Sequence, residues 1–458
     1  MPRTALRQLP PWALPWLVFV IACLVYIPTS GGFARNTDTA ANSLAAWKIA
    51  TTGQPWMDGV DERHWNDINF DYLVVGRDGH EVVGRTPGQI LAGVPFYVFS
   101  SEDQAEFSYR PGDAAAAVMT AGALALLFAG LRRQLGDVGA AVTVGVFGLA
   151  TPVWTVAAHS LWTHSVTVLA ICAAIWSLTR SSWLGTGVAL GVGMLARPHL
   201  AFIAATIGLG LAWKRRSPKI AVLVGVPCVA SLGALAALNR YVYGRWSIQG
   251  SYAQSPADVV PGSNEYGGNG ALAYFENMAG FLVSLDRGLF LWSPFLVLLI
   301  FAVLREWKGL PDWSRWLAVS GLVYAVVQVA LNEFHGSSAF YGYRLALELL
   351  VCGAPALAFS ASALGRRARR ATLGLLAVQF GAFATAALYP IKLDVLVTKQ
   401  EAWDNNVLAR MFDRYPGPTA LLFVTSTLIA LGVGLQVLRR LESRESVASD
   451  YSRAAVVD

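Results

Sequence analysis

Residues 111–157 read PGDAAAAVMTAGALALLFAGLRRQLGDVGAAVTVGVFGLATPVWTVA. Two apolar runs, 111–131 and 138–157, flank the basic pair Arg132-Arg133. Each run has the length of a membrane-crossing helix, which needs about 20 mostly apolar residues because each residue rises only about 1.5 Å. A short basic connection between two such runs predicts a helical hairpin in a bilayer, with the arginine pair marking the cytoplasmic side.

The same pattern extends in both directions. Further runs lie near 12–29, 163–180, 182–196, 198–213, 220–238, 287–304, 315–331, 344–364, 371–389 and 419–438, giving twelve spans. The run at 87–100 is too short to cross and fits an interfacial or re-entrant helix. Two short runs meet at Arg197-Pro198, where proline predicts a broken helical pair. Composition agrees. Of 458 residues, 55% are hydrophobic and only 14% charged, against about a quarter charged in soluble domains. The expected class is all-α, a polytopic membrane protein with juxtamembrane helices in its first long loop. Residues 1–440 form one transmembrane unit, and 441–458 a disordered tail.

Sidedness follows from the basic residues. Arg3 and Arg7 precede the first span. Arg132-Arg133, Arg180, Lys214-Arg215-Arg216, Arg305 with Lys308, Arg366-Arg367 with Arg369-Arg370, and Arg439-Arg440 all fall on one face if 87–100 does not cross. That face is predicted to be cytoplasmic, with both termini on it. The net charge of +6 therefore reflects topology, and no nucleic-acid partner is expected. The first run is longer than a signal-peptide core and is followed by many spans, so it is expected to stay in place. Cys23, Cys172, Cys228 and Cys352 lie in apolar stretches without a CxxC pair, so neither a disulfide framework nor a zinc site is indicated.

Four larger segments, 30–110, 239–286, 332–343 and 390–418, fall on the opposite face. Arg197, Arg287, Arg344, Glu348 and His164 lie near the ends of spans on that face or at the break. Ionisable residues at membrane depth are functional candidates by default. In the first segment, Asn36-Thr37-Asp38 can cap a helix in which Leu44, Trp47 and Ala50 share a face, ended by Gly53-Gln54-Pro55. Asp38 fits a capping residue as well as a chemical one. Asp78-Gly79 is a hairpin-type turn, and Arg85 stands at the mouth of the helix at 87–100.

The order of these pieces resembles the GT-C superfamily of integral-membrane glycosyltransferases, in particular its ArnT/RgtA-like, dolichyl-phosphate-mannose-mannosyltransferase-like group. The resemblance rests on the first span followed by Asn36-Thr37-Asp38-Thr39, on Tyr72-Leu73 through Gly88, and on Val94-Pro95-Phe96-Tyr97. It continues with Ala150-Thr151-Pro152-Val153-Trp154, Leu161-Trp162-Thr163-His164, Ala196-Arg197-Pro198, Asp286 through Pro294, and Gly342-Tyr343-Arg344. About the first three quarters of the chain is covered.

The resemblance implies a glycosyltransferase of the bacterial plasma membrane. It would take its sugar from a polyprenyl-phosphate donor and act on a glycan or glycolipid acceptor of the cell envelope, on the extracytoplasmic side. It also implies that Asp38 is the catalytic base or orients the acceptor. Asp38 has no acidic neighbour in sequence, so no metal and no cofactor beyond the donor are expected. The reaction must deprotonate an acceptor hydroxyl, a task for a carboxylate. It must also stabilise a departing phosphate, a task for the arginine fork. Arg197, Arg287, Arg344 and Arg85 are the candidates for the phosphate, and each also fits an interfacial residue with its head in water. His164, Glu333, His335 and Tyr343 form a further set, for the acceptor or for support. Trp154, Trp162, Phe290 and Trp292 read first as an interfacial aromatic belt and second as the lining of a lipid groove. Gly262 through Gly270 lacks the strand-then-helix setting of a nucleotide loop and reads as a mobile acceptor loop or lid.

Two other classes compete. A lipid-sugar flippase would use the Arg197-Pro198 break, but transporters tend to show inverted repeats, and none is evident. A non-catalytic scaffold of an envelope assembly complex would tolerate replacement of Asp38 and Arg344.

Overall fold

The computed structural model describes the backbone of residues 10, 12–32, 36–66, 73–249, 271–336, 340–389 and 398–454, and side chains within these except at 65, 66 and 441–454. Arg3, Arg7, Tyr72 and the glycine-rich Gly262–Gly270 stretch lie outside the described residues.

The first half contains α1 (Ala13–Thr29), α2 (Thr37–Thr52), α3 (Glu62–Asn66), β1 (Leu73–Val75), β2 (Glu81–Val83), α4 (Pro87–Tyr97), α5 (Arg110–Leu149), α6 (Thr163–Leu178), α7 (Trp183–Met194), α8 (Leu200–Lys214) and α9 (Pro218–Tyr243). The second half contains α10 (Ala271–Val283), α11 (Leu289–Trp292), α12 (Phe295–Glu306), α13 (Asp312–Leu331), α14 (Leu347–Ser360), α15 (Arg366–Leu388), α16 (Lys399–Asp404), α17 (Val407–Arg414) and α18 (Pro416–Ala454). Among the described residues, five helices are long and apolar enough to cross a membrane: α5, α9, α13, α15 and α18 as far as Arg440. Shorter apolar helices fill out the bundle. The expected all-α membrane architecture is what the chain adopts.

Several elements depart from the lengths read in sequence, each for a visible reason. The two runs around Arg132-Arg133 are joined in α5, which is interrupted at Gly136 (φ 69°), a left-handed conformation suited to glycine. Its second half stops at Leu149 instead of reaching residue 157. Pro152 follows, and a single wide turn spans Val153–Ala157. The run at 287–304 is split by Ser293-Pro294 into α11 and α12. Residues 344–346 precede α14 as a turn closed by the Leu347 amide on the Arg344 carbonyl at 3.3 Å. Helix α10 lies in a stretch assigned above to a long connecting segment. Helix α18 runs on to Ala454, and neither proline nor glycine interrupts the sequence after Gly434.

Other readings hold. Asn36 caps α2 by accepting the Asp38 amide, and Gly53 ends it with a left-handed φ of 70°. The turn at Asp78-Gly79 joins β1 to β2 with Leu73 opposite Val83, both turn residues having positive φ. Arg197-Pro198 separates α7 from α8. Helix α4 is too short to cross and packs on α2. Together α2, α4, the strand pair and the start of α5 bury their own apolar cluster, with Leu44, Trp47, Met57, Ile90 and Tyr97 inside. That local core makes the first loop a rigid element attached to the bundle.

Candidate functional site

The site begins at the N-terminus of α2. The Asn36 cap places Asp38 in the first turn. The Asp38 carboxylate is largely buried and receives two guanidinium groups on Oδ2. Arg344 donates from one terminal nitrogen at 3.0 Å, and a terminal nitrogen of Arg85 lies at 3.2 Å. Arg85 enters from the β2–α4 turn and Arg344 from the turn before α14. Three segments distant in sequence thus converge on one oxygen. The Arg344 guanidinium lies 4.6 Å from the Trp162 ring centre and 5.2 Å from that of Phe340, a stacked cation.

Behind Asp38 runs a buried amide ladder. Thr86 donates to the Ala196 carbonyl at 2.7 Å and to Gln89 Oε1 at 3.1 Å. Gln89 donates to Asn42 Oδ1 at 3.0 Å, and Asn42 to the Leu161 carbonyl at 2.9 Å. The Gly88 amide donates to the Leu195 carbonyl at 2.9 Å. These bonds tie α2, α4 and the α7–α8 break to the segment carrying Trp162.

Arg197 belongs to a second cluster. Its Nε donates to Thr163 at 3.1 Å, one terminal nitrogen donates to the Tyr324 hydroxyl at 2.9 Å, and the other approaches His164 Nε2 at 3.2 Å. Arginine can only donate, so Nε2 accepts and the imidazole proton sits on Nδ1. From Nδ1 it is donated to Glu348 Oε1 at 2.9 Å. Thr167 donates to the same oxygen at 2.7 Å, and Arg197 lies 3.5 Å away. His164 and Glu348 are fully buried, and Glu348 Oε2 has no hydrogen-bond partner among the described residues.

Arg287 is placed elsewhere again. It pairs with Asp286 at 3.2 Å, donates to the carbonyls of Phe340 and Gly342 at 2.9 and 3.1 Å, and stacks 3.8 Å from the Phe340 ring centre. It braces the 340–342 turn that leads to Arg344. The Tyr343 hydroxyl is 2.8 Å from Ser293 Oγ in the core. His335 Nδ1 lies 3.2 Å from Glu333 Oε2 without hydrogen-bond alignment. Burial, with Arg287 and Arg344 nearby, pushes the His335 ring down to about 4. Burial raises the Glu333 carboxyl.

Of the four arginines proposed for phosphate, the structure brings Arg85 and Arg344 to Asp38. Arg197 and Arg287 make protein contacts in neighbouring clusters. Trp154, Trp162 and Trp292 are buried and do not form an interfacial belt. Trp162 carries Arg344, while Trp154 and Trp292 donate to Thr29 and to the Asp286 carbonyl. Sequence reasoning named Glu348 and Asp286 without giving either a role, and left out Tyr324 and the Asn42–Gln89 ladder. Glu348 carries a signal in the sequence, a carboxylate within the apolar run 344–364. The ladder residues are uncharged and carry none.

No family model and no curated protein matches this chain. Among solved structures, the crystal structure of ArnT from Cupriavidus metallidurans in the apo state superposes with a TM-score of 0.53 at 14% identity, over 93% of this chain and 77% of that one. The crystal structure of the same ArnT bound to undecaprenyl phosphate superposes with a TM-score of 0.51 at 13% identity, over 94% of this chain and 79% of that one. The chain has an ArnT-like fold. At this identity the likeness is one of architecture, and it extends over nearly the whole length. Asp38, Arg85 and Arg344 meet where the first loop and the bundle join.

Proposed function

We propose that the protein is a glycosyltransferase that moves one sugar from a polyprenyl-phosphate donor to a glycan or lipid acceptor of the cell envelope. The observation that carries this reading is Asp38 Oδ2 lying within reach of both Arg344 and Arg85. The undecaprenyl phosphate named for the similar ArnT structure supports it. In this reading the two guanidinium groups turn to the donor's phosphate oxygens, for which their fork geometry and permanent charge are suited. Asp38, released from them, takes the proton of an acceptor hydroxyl. The acceptor oxygen bonds to the anomeric carbon from the face opposite the leaving group, so the configuration inverts. The carbon–oxygen bond to phosphate breaks, and polyprenyl phosphate departs with the bonding pair. Arg85 and Arg344 neutralise its charge, so the reaction as written needs no resident metal. In this reading the site faces the extracytoplasmic side of a bacterial plasma membrane with both termini in the cytoplasm, a sidedness that the basic residues of the connecting segments support.

The test uses the full chain in detergent, a panel of polyprenyl-phosphate sugars and an envelope-lipid extract, with release of polyprenyl phosphate as the signal. Release that requires one sugar and disappears in Asp38→Asn supports the transferase. Folded protein that releases nothing from any donor refutes it and turns attention to transport of labelled lipid in vesicles.

A further inference from the structure

The Glu348–His164–Arg197 cluster is costly to build. A carboxylate, an imidazole and a guanidinium in the interior of an apolar bundle each carry a desolvation penalty, and a buried ion pair often contributes little net stability. Such groups within membrane segments mark function by default. Within the cluster Arg197 donates to Thr163 and Tyr324, while Trp162, two residues before His164, carries the Arg344 of the Asp38 site. The question is what the cluster holds in place.

Two routes lead from it to the Asp38 site. Along the first, His164 is fixed by Glu348 and Arg197, and it stands two residues after Trp162, whose ring supports the Arg344 guanidinium at 4.6 Å. Glu348 itself sits at the start of α14, and the Arg344 turn is closed onto Leu347, the residue before it. Along the second, Arg197 pins the break between α7 and α8. The break's carbonyls, Leu195 and Ala196, accept from Gly88 and Thr86, and Thr86 directly follows Arg85. Each arginine at Asp38 is therefore placed by a segment that the cluster fixes.

We propose that Glu348 is a positioning residue: through His164 and Arg197 it sets where Arg344 and Arg85 stand around Asp38. What that geometry serves rests on the transferase reading, but the geometric claim can be decided without it. A carboxylate is required because it accepts from His164 and Thr167 on one oxygen while balancing the Arg197 charge. Glutamine keeps the shape and loses the balance.

The test is a double-mutant cycle on unfolding midpoints of the full chain in detergent, pairing Glu348→Gln with Asp38→Asn. Groups coupled through shared partners give non-additive effects. The expected result is a double-variant midpoint that departs from the sum of the single shifts by at least about 2 °C. Additive shifts would mean that Glu348 only holds its own helices together, and would overturn the proposal. If Glu348→Gln does not fold, Tyr324→Phe replaces it, removing only the hydroxyl that accepts from Arg197, with the same two outcomes. Where the wild type turns over, Glu348→Gln in its folded fraction should lower polyprenyl phosphate release at least about tenfold, and wild-type kinetics would also overturn the proposal. A wild type that releases nothing refutes the transferase while leaving the cycle to decide the positioning role.

Discussion

Asp38 and Arg344, 306 residues apart in sequence, meet at 3.0 Å, and Arg85 reaches the same carboxylate oxygen at 3.2 Å. If Asp38 takes the acceptor's proton, its replacement by asparagine should lower polyprenyl phosphate release by about 10²–10⁴-fold, the usual contribution of a general base. Thermal unfolding of the variant in detergent separates lost chemistry from lost structure. A variant with more than a tenth of wild-type turnover would remove Asp38 from that role.

Arg344→Lys tests the fork separately from the charge. Lysine stays cationic but cannot lie flat on Trp162 while presenting two parallel donors. Release should fall at least about tenfold, and Arg85→Lys should behave likewise. Single-turnover rates with the active donor check both. Full activity in both lysine variants would reduce their role to charge alone.

The bundle and the arrangement of its first loop were legible in sequence because both depend on local patterns. Apolar run lengths give the spans, Asn36 gives the α2 cap, and Asp78-Gly79 gives the hairpin. The places where the reading fell short are places where tertiary partners decide. Ser293-Pro294 and Thr151-Pro152 interrupt runs whose hydropathy alone looks continuous, and α10 looks like part of a loop. Asp38, Arg85 and Arg344 were each visible as a charge near an apolar run. That Arg197 and Arg287 serve neighbouring clusters was not, because a guanidinium's choice between a buried carboxylate, backbone carbonyls and open space is made by residues hundreds of positions away. Asn42, Gln89 and Thr86 were silent for the same reason. Their meaning lies in whom they bond.

Gly88 gives a direct test of how α4 is held. A Cβ there would collide with the backbone of Ala196, where the Gly88 amide meets the Leu195 carbonyl. Gly88→Ala must push α4 from the α7–α8 break, at about 1–3 kcal/mol as for other overpacking changes. The unfolding midpoint should drop. Activity in the folded fraction should drop with it, because Arg85 lies three residues earlier. An unchanged midpoint would show that the break yields without cost.

Arg287 should behave as a brace. It is buried against Asp286 and two carbonyls, so Arg287→Met strands a buried carboxylate and should cost about 3–5 kcal/mol. Adding Asp286→Asn should recover part of that loss, since Asn Oδ1 can still accept from the Val407 amide, while the Phe340 and Gly342 carbonyls, left without the guanidinium, keep the recovery incomplete. Denaturation of the three variants decides. Arg287→Met with wild-type stability would return Arg287 to the set available for phosphate.

His335 gives the chain a pH dependence of defined sign. Its ring is pushed from the ordinary 6.5 down to about 4, first by burial and then by Arg287, Arg344 and Lys399. An unfolded chain takes up a proton here below pH 6.5, whereas the folded chain does so only near 4. Between these values the unfolded state binds more protons, so this group makes stability rise with pH from 4 to 6.5 and contributes no slope above that window. His335→Asn should therefore flatten the fall in unfolding midpoint between pH 6.5 and 4 while matching the wild-type slope at pH 7–8. Parallel curves for the two proteins across the acid range would show that Glu333, at 3.2 Å, compensates the ring when it charges.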